Sequence, residues 1–344
     1  MLTKESQSLI NSFLRKSNVQ SYMKDDHIKS LYQSLSKKSF QTSKIELSQS
    51  RMNYPQSDFI TKSLSRKVSE RKNVLTMKWT TLGKYSVQII LHIYLKDNED
   101  FPDTELLVRA ISFITSFSDR DRKIKIHICL LPDKKIIRKN QQRISRLSVN
   151  SGFNSFSDIE SEICVFRREE CIKVLFHEII HGLRFSNLGS HVKITERLCK
   201  KYNLKSKDIL IDESYTEIWA KIMNCFFISS LTNSSTKFQH FCTMMALEKE
   251  FSLYQANKVK LFVKKSNDKD LDKDTNVSAY FLVVGEFFSN IKEFLKTCGS
   301  NPYLKDHNKF LDFILNLDKL EKRKIPEKDT HYNTMRMSLI EVEI

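Results

Sequence analysis

The stretch Lys173-Val-Leu-Phe-His177-Glu178-Ile-Ile-His181-Gly-Leu-Arg-Phe185 restricts what this chain can fold into more than any other. Two histidines four residues apart project from the same face of a helix, one turn above each other. There they can share one tetrahedral metal ion, and the glutamate between them can reach a water bound to that ion. The run is apolar on its other faces, so the helix has to be packed inside the molecule. A plainer explanation is a core helix that happens to carry two histidines.

Catalytic zinc takes three protein ligands and keeps a fourth position open, so a third ligand must come from downstream. A continuation of the form His-Glu-x-x-His-x-x-Gly-x-x-His fails here, because Arg184 stands at the glycine position and Asn187 at the histidine position. His191 is a looser option. The better candidate is Asp212-Glu213-Ser-Tyr-Thr-Glu217-Ile-Trp-Ala, in which two carboxylates four apart share a helix face. Glu213 can bind the metal while Glu217 accepts the second ring N–H of a metal-bound histidine and sets its tautomer. The swapped assignment, with Glu217 on the metal, stays open at this level, as does a merely solvated acidic face.

The surrounding pattern places this helix in an α+β fold, with a small mixed sheet first and a mainly helical half after it. Apolar runs at 74–79 and 85–94 flank Leu82-Gly83-Lys84 and predict a hairpin. Residues 104–116 have the spacing of an amphipathic helix. Residues 123–131 alternate and then turn fully apolar, as a central strand does, and 149–153 read as a turn-like connection. A short strand at 162–167 leads into the metal helix at 168–185. Helices are expected at 192–202, 212–229, 237–261, 277–295 and 309–320, with a charged loop at 267–274 and an extended segment from Tyr332.

Residues 1–72 are compositionally distinct, rich in Ser, Lys, Gln and Asn, with 14 lysines and arginines against six acids. They read as a partly disordered basic arm with one or two short helices, which leaves 73–344 as the body: 73–185 for the sheet and metal helix, 186–344 for the helical part. The formal charge of +16 favours nucleic acid or another acidic partner, with the arm as the contact. The scarcity of Gly, Ala and Pro is also what an AT-rich coding sequence yields, and that accounts for part of the lysine surplus. Seven scattered cysteines without a C-x-x-C pair indicate thiols in a reducing, cytosolic-type compartment. Neither a secretory h-region nor an apolar run of about 18 residues is visible, so no signal peptide and no membrane span are expected.

His177-Glu178-x-x-His181, followed by Glu213 and Glu217, resembles the gluzincin branch of zincin metallopeptidases. The match is looser at Asp212 and Glu217, where that branch carries Asn and Asp. A closer similarity is to zincin-like proteins predicted in large DNA viruses. It rests on 149–153, the Phe166-to-Glu178 lead-in, Glu213-x-Tyr215-x-Glu217-x-Trp219-Ala, and Met335-Arg336-Met337. The resemblance covers about residues 74–344 and leaves out the arm. It implies a zincin-like fold, one Zn2+ per chain on His177, His181 and Glu213, Glu178 as general base, and a protein or peptide substrate. It also implies host cytoplasm or virion as the setting. Gluzincins add a tyrosine or histidine that stabilises the oxyanion, for which Tyr215, His240, His331 and Tyr332 are candidates, and 149–153 would be the edge that aligns a peptide. The reading from another class is a non-catalytic zincin-fold structural or interaction protein with a nucleic-acid-binding arm.

Overall fold

The expected hairpin forms, and it is the backbone of the sheet. The computed structural model describes all residues except 139–140, 207, 233–234, 267–268, 319, 324 and 326–329. Its strands are β1 (Gln41–Thr42), β2 (Glu46–Arg51), β3 (Asn73–Leu82), β4 (Ser86–Leu95), β5 (Arg122–Leu131), β6 (Gly152–Phe156) and β7 (Glu160–Arg167). They build one seven-stranded mixed sheet in the order β1-β3-β4-β5-β7-β6, with β2 also paired to β3. β3 and β4 are antiparallel, β4, β5 and β7 run parallel, and β6 returns antiparallel on β7. The connection read as a turn at 149–153 thus enters an edge strand, because β7 offers Gly152–Phe156 a ladder that local sequence does not announce.

The sheet is covered on both sides, which is why β5 has to be apolar on both faces. Ile124, Ile126 and Ile128 face the large core, while Cys129 and Leu131 join Tyr54, Ile60, Leu64 and Val68 in a smaller one. On the large-core side lie α5 (Thr104–Thr115) and the helix that carries His177 and His181. Phe113 of α5 meets Phe176 at 5.9 Å between ring centres.

Residues 1–72 differ from the expectation of a partly disordered arm. They form α1 (Lys4–Phe13), α2 (Val19–Met23), α3 (Asp26–Ser36), α4 (Lys62–Ser69) and the first two strands. Leu9, Phe13, Ile28, Leu31 and Leu35 are buried in the large core. Phe13 packs on Phe251 and Tyr254, and Asp25 caps α3 through the Ile28 N–H at 3.1 Å. Composition misleads here because few apolar residues suffice when they fall at helical spacing on one face. β2, by contrast, is exposed throughout.

The remaining helices are α6 (Arg146–Val149), α7 (Cys171–Leu183), α8 (Val192–Tyr202), α9 (Ile211–Ser230), α10 (Lys237–Ser266), α11 (Val284–Ser289), α12 (Ile291–Cys298) and α13 (His307–Leu315). The apolar run expected as one helix over 277–295 is divided. A π-helical turn, Ser278–Val283, leads into α11, and Asn290 leaves helical geometry before α12. The C-terminal stretch from Met335 to Val342 is buried, and Glu170 and Glu248 accept its main-chain N–H groups. No helix among the described residues is long and apolar enough to cross a membrane. All seven cysteines are free thiols, six of them buried.

Candidate metal centre

α7 delivers the three motif residues and α9 the two glutamates, because the helices pack face to face across the centre. The start of α9 is tied to the loop after α7 through Asp212, whose carboxylate accepts from the Ser186 hydroxyl and, at 3.2 Å, from the Leu188 N–H. α7 begins in an unusual way: Glu170 has φ 59°, in the left-handed region, and its carboxylate accepts from Lys135 at 2.7 Å.

His177 Nε2 and His181 Nε2 lie 3.2 Å apart, and Glu213 Oε2 lies 3.2 Å from the first and 3.3 Å from the second. Metal–ligand bonds of about 2.0–2.1 Å in a tetrahedron separate ligand atoms by about 3.3–3.4 Å. The observed triangle therefore has the edge lengths of one face of such a tetrahedron. These three side chains form a group that can hold a metal ion. The chemistry of the donors fits as well. His177 Nδ1 is 2.9 Å from Glu217 Oε2, an ionised carboxylate, so Nδ1 carries a proton and Nε2 is the ring nitrogen left to face the Glu213 oxygen. A proton on the imidazoles offsets the Glu213 charge, and a metal cation held by the three atoms would displace that proton.

The electrostatics point the same way. Burial alone would lower the His177 pKa, but the carboxylates of Glu213 and Glu217 outweigh it and push it up to about 9. Burial likewise opposes ionisation of Glu213, yet His181 and His177 hold it well below the usual carboxylate range. Glu217, also buried, is drawn down to about 2 by Lys173 and His177. Its two oxygens take the Lys173 ammonium at 2.9 and 3.0 Å, and Lys173 is itself only 2 % exposed. His181 has a more distant partner, with Asp212 Oδ2 3.8 Å from its Nδ1, beyond hydrogen-bond range.

Glu178 stands next to the triangle without belonging to it. Asn154 of β6 donates to its Oε2 at 2.5 Å. Burial raises its pKa, against the pull of His177 and His181. Gly152 explains how the strand comes so close: a Cβ there would sit 2.8 Å from Glu178 Oε1 and 3.0 Å from the Cys164 carbonyl. Gly152→Ala is therefore expected to displace the carboxylate or the strand and to lower stability by about 1–3 kcal/mol, while leaving the three side chains that can hold a metal in place. Denaturant unfolding paired with metal analysis checks this, and an unchanged stability would mean that the strand and Glu178 yield to the methyl group without strain.

A cavity of about 420 Å³ opens over the centre. Its walls are β6 with Phe59 on one side and Leu210 with the 272–276 stretch on the other. That stretch ends the expected charged loop, whose residues 267 and 268 lie outside the described residues. Tyr280, on the π-helical turn, completes the site: its hydroxyl donates to Glu213 Oε2 at 3.1 Å and its ring lies 5.8 Å from that of His177. Burial and then the Glu213 charge push the Tyr280 pKa well up, so the hydroxyl keeps its proton.

Tyr280 is a residue the sequence does not single out, since it lies in an apolar run that reads as core. Its one signal is a hydroxyl just after a charged loop. None of the four oxyanion candidates lines the cavity. Tyr215 donates to the Pro302 carbonyl, His240 bonds Thr232, and His331 bonds Ser12. His191 occupies the N-cap position of α8 without a side-chain capping bond and is not in the group that can hold a metal. Comparison of the chain with protein-family models, with curated proteins and with solved structures finds no match.

Proposed function

We propose that this chain is a zinc-dependent peptidase, with one zinc on His177, His181 and Glu213 and with Glu178 as general base. The observation that carries the reading is the convergence of three donor atoms at 3.2, 3.2 and 3.3 Å beside a carboxylate that is not one of them. Two imidazoles and one carboxylate suit zinc better than calcium or magnesium, which favour oxygen alone. Zinc bound there would supply a water of lowered pKa and polarise a substrate carbonyl.

The protein's own groups do the rest. Glu178, made more basic by burial, takes the proton of the attacking water and returns it to the departing amine nitrogen. Asn154 keeps its carboxylate aimed. Glu217 holds the His177 tautomer and is itself held by Lys173. Tyr280, protonated and beside His177, would serve a carbonyl oxygen as it gains charge by turning its one hydroxyl proton away from Glu213. Among the described residues β6 has no partner on its outer edge in the sheet, and it offers main-chain pairing to an extended peptide. The sequence resemblance to gluzincin-type metallopeptidases points to the same chemistry. A non-catalytic role would need the metal ligands but not Glu178 in this position.

Metal analysis of the purified chain is expected to return one zinc per molecule. A chelator should remove hydrolysis of an unstructured peptide mixture, and added zinc should restore it. Absence of metal from the folded protein would sink the centre itself. One zinc without hydrolysis of any peptide would leave the structural role.

A further inference from the structure

We infer that the cleft is blind at the end beside Asn150, and that the chain takes peptides by a free C-terminus whose carboxylate is received by Arg146. This rests on the peptidase reading above and adds which peptides fit. Gly152, Phe153 and Asn154 of the edge strand line the cavity. Antiparallel pairing is the more stable mode per residue, so a short extended peptide on this edge runs opposite to β6. Its C-terminus then points past Gly152 towards Asn150.

That way out is closed. Arg146 Nε donates to the Asp274 carbonyl at 2.7 Å, and Thr275 Oγ1 donates to Asn150 Oδ1 at 2.6 Å. The two bonds join the walls of the cleft, and all four residues line it. Glu178 touches Asn154 and closely approaches Gly152, so the reacting bond lies opposite that pair. Asn150 is two residues beyond Gly152, about 7 Å at strand spacing, which leaves room for one or two substrate residues after the cleaved bond.

The chemistry at the blind end suits a chain terminus. The Arg146 guanidinium is held by two main-chain carbonyls, those of Asp274 and Asp58, lies 5.6 Å from the Phe59 ring centre, and has no carboxylate partner among the described residues. Lys273 is exposed beside it. The carboxylate of Asp272 is already engaged by the Ser206 hydroxyl and the Ser278 N–H. A terminal carboxylate would give the guanidinium a charge-assisted bond that no internal peptide unit can supply. Phe59 has Phe153 stacked at 6.3 Å and the Arg146 guanidinium 5.6 Å from its ring centre, and the 50 % of it that stays exposed offers apolar surface to the last side chain. In the reaction, water adds across the peptide C–N bond. Its hydroxyl goes to the carbonyl carbon and its proton to the nitrogen, releasing a free amino acid or dipeptide from the C-terminus.

The test uses the zinc-loaded full chain and short peptides ending in an aromatic residue, each made with a free carboxylate and as the amide. Products of one or two C-terminal residues are expected, with kcat/KM at least about tenfold lower for the amide, the scale of one charge-assisted bond. Arg146→Met, which keeps the apolar stem, should erase the difference between the two forms, and Arg146→Lys should restore part of it. Binding of the same pairs to zinc-loaded Glu178→Gln reads the carboxylate preference without turnover, and should show the same ranking. Internal cleavage that ignores the amide would overturn the inference and leave the peptidase reading intact. Failure of the zinc-loaded protein to bind or cleave any of these peptides would overturn both.

Discussion

Glu178→Gln is expected to keep the metal and lose hydrolysis. The substitution preserves shape and leaves an oxygen to accept from Asn154, so the packing around the centre has no reason to change. An amide cannot take a proton from water, and losing a positioned general base costs about 10²- to 10⁴-fold. The three ligand atoms belong to other side chains, so zinc stoichiometry should remain that of the parent. Kinetics on a susceptible peptide, paired with metal analysis of the same sample, gives the answer. A variant within about twofold of the parent, where a base of this kind should cost orders of magnitude, would exclude Glu178 from the reaction.

Glu213→Ala and Glu217→Ala should fail in different ways. Glu213 supplies the third corner of the ligand triangle and is the more exposed of the two, with a side chain 18 % exposed against none for Glu217. Its removal should abolish tight zinc binding at modest cost to folding. Glu217 would reach a bound metal only through His177, and loss of such a partner lowers affinity by about 10- to 100-fold. Its larger effect is on stability. Without it the Lys173 ammonium is left buried and unpaired, at a cost of about 3–5 kcal/mol. Zinc competition titrations and denaturant unfolding of both variants separate the two roles. Replacing the pair together, Lys173→Met with Glu217→Leu, should recover most of the stability and not the zinc affinity. If Glu217→Ala lost zinc outright while Glu213→Ala kept it, the swapped ligand assignment would stand.

Those two glutamates show how far local pattern reaches. Helical spacing puts both on one face of α9, but which of them points at the histidines depends on the height at which α9 crosses α7. That height is set by side chains far away in the chain, such as Ser186, which holds Asp212. Tyr280 is invisible for a related reason: a half-buried tyrosine in an apolar run looks like core until a neighbouring helix brings a carboxylate to its hydroxyl. The N-terminal 72 residues err in the other direction. Their composition suggests a solvated arm, while a handful of residues such as Leu9, Phe13 and Leu31 suffices to bury their helices.

By itself the sequence determined which side chains could make a metal centre, since the spacing of His177, Glu178 and His181 on a helix is a matter of local geometry. It also determined the order of the main elements, through the periods of its apolar residues. Only the tertiary structure decided that Glu213 completes the triangle, that Glu217 and Lys173 form the support beneath it, and that β6 brings Asn154 and Gly152 against Glu178. These are contacts between segments tens of residues apart. They depend on how helices and a sheet edge pack, which no spacing within a single segment encodes.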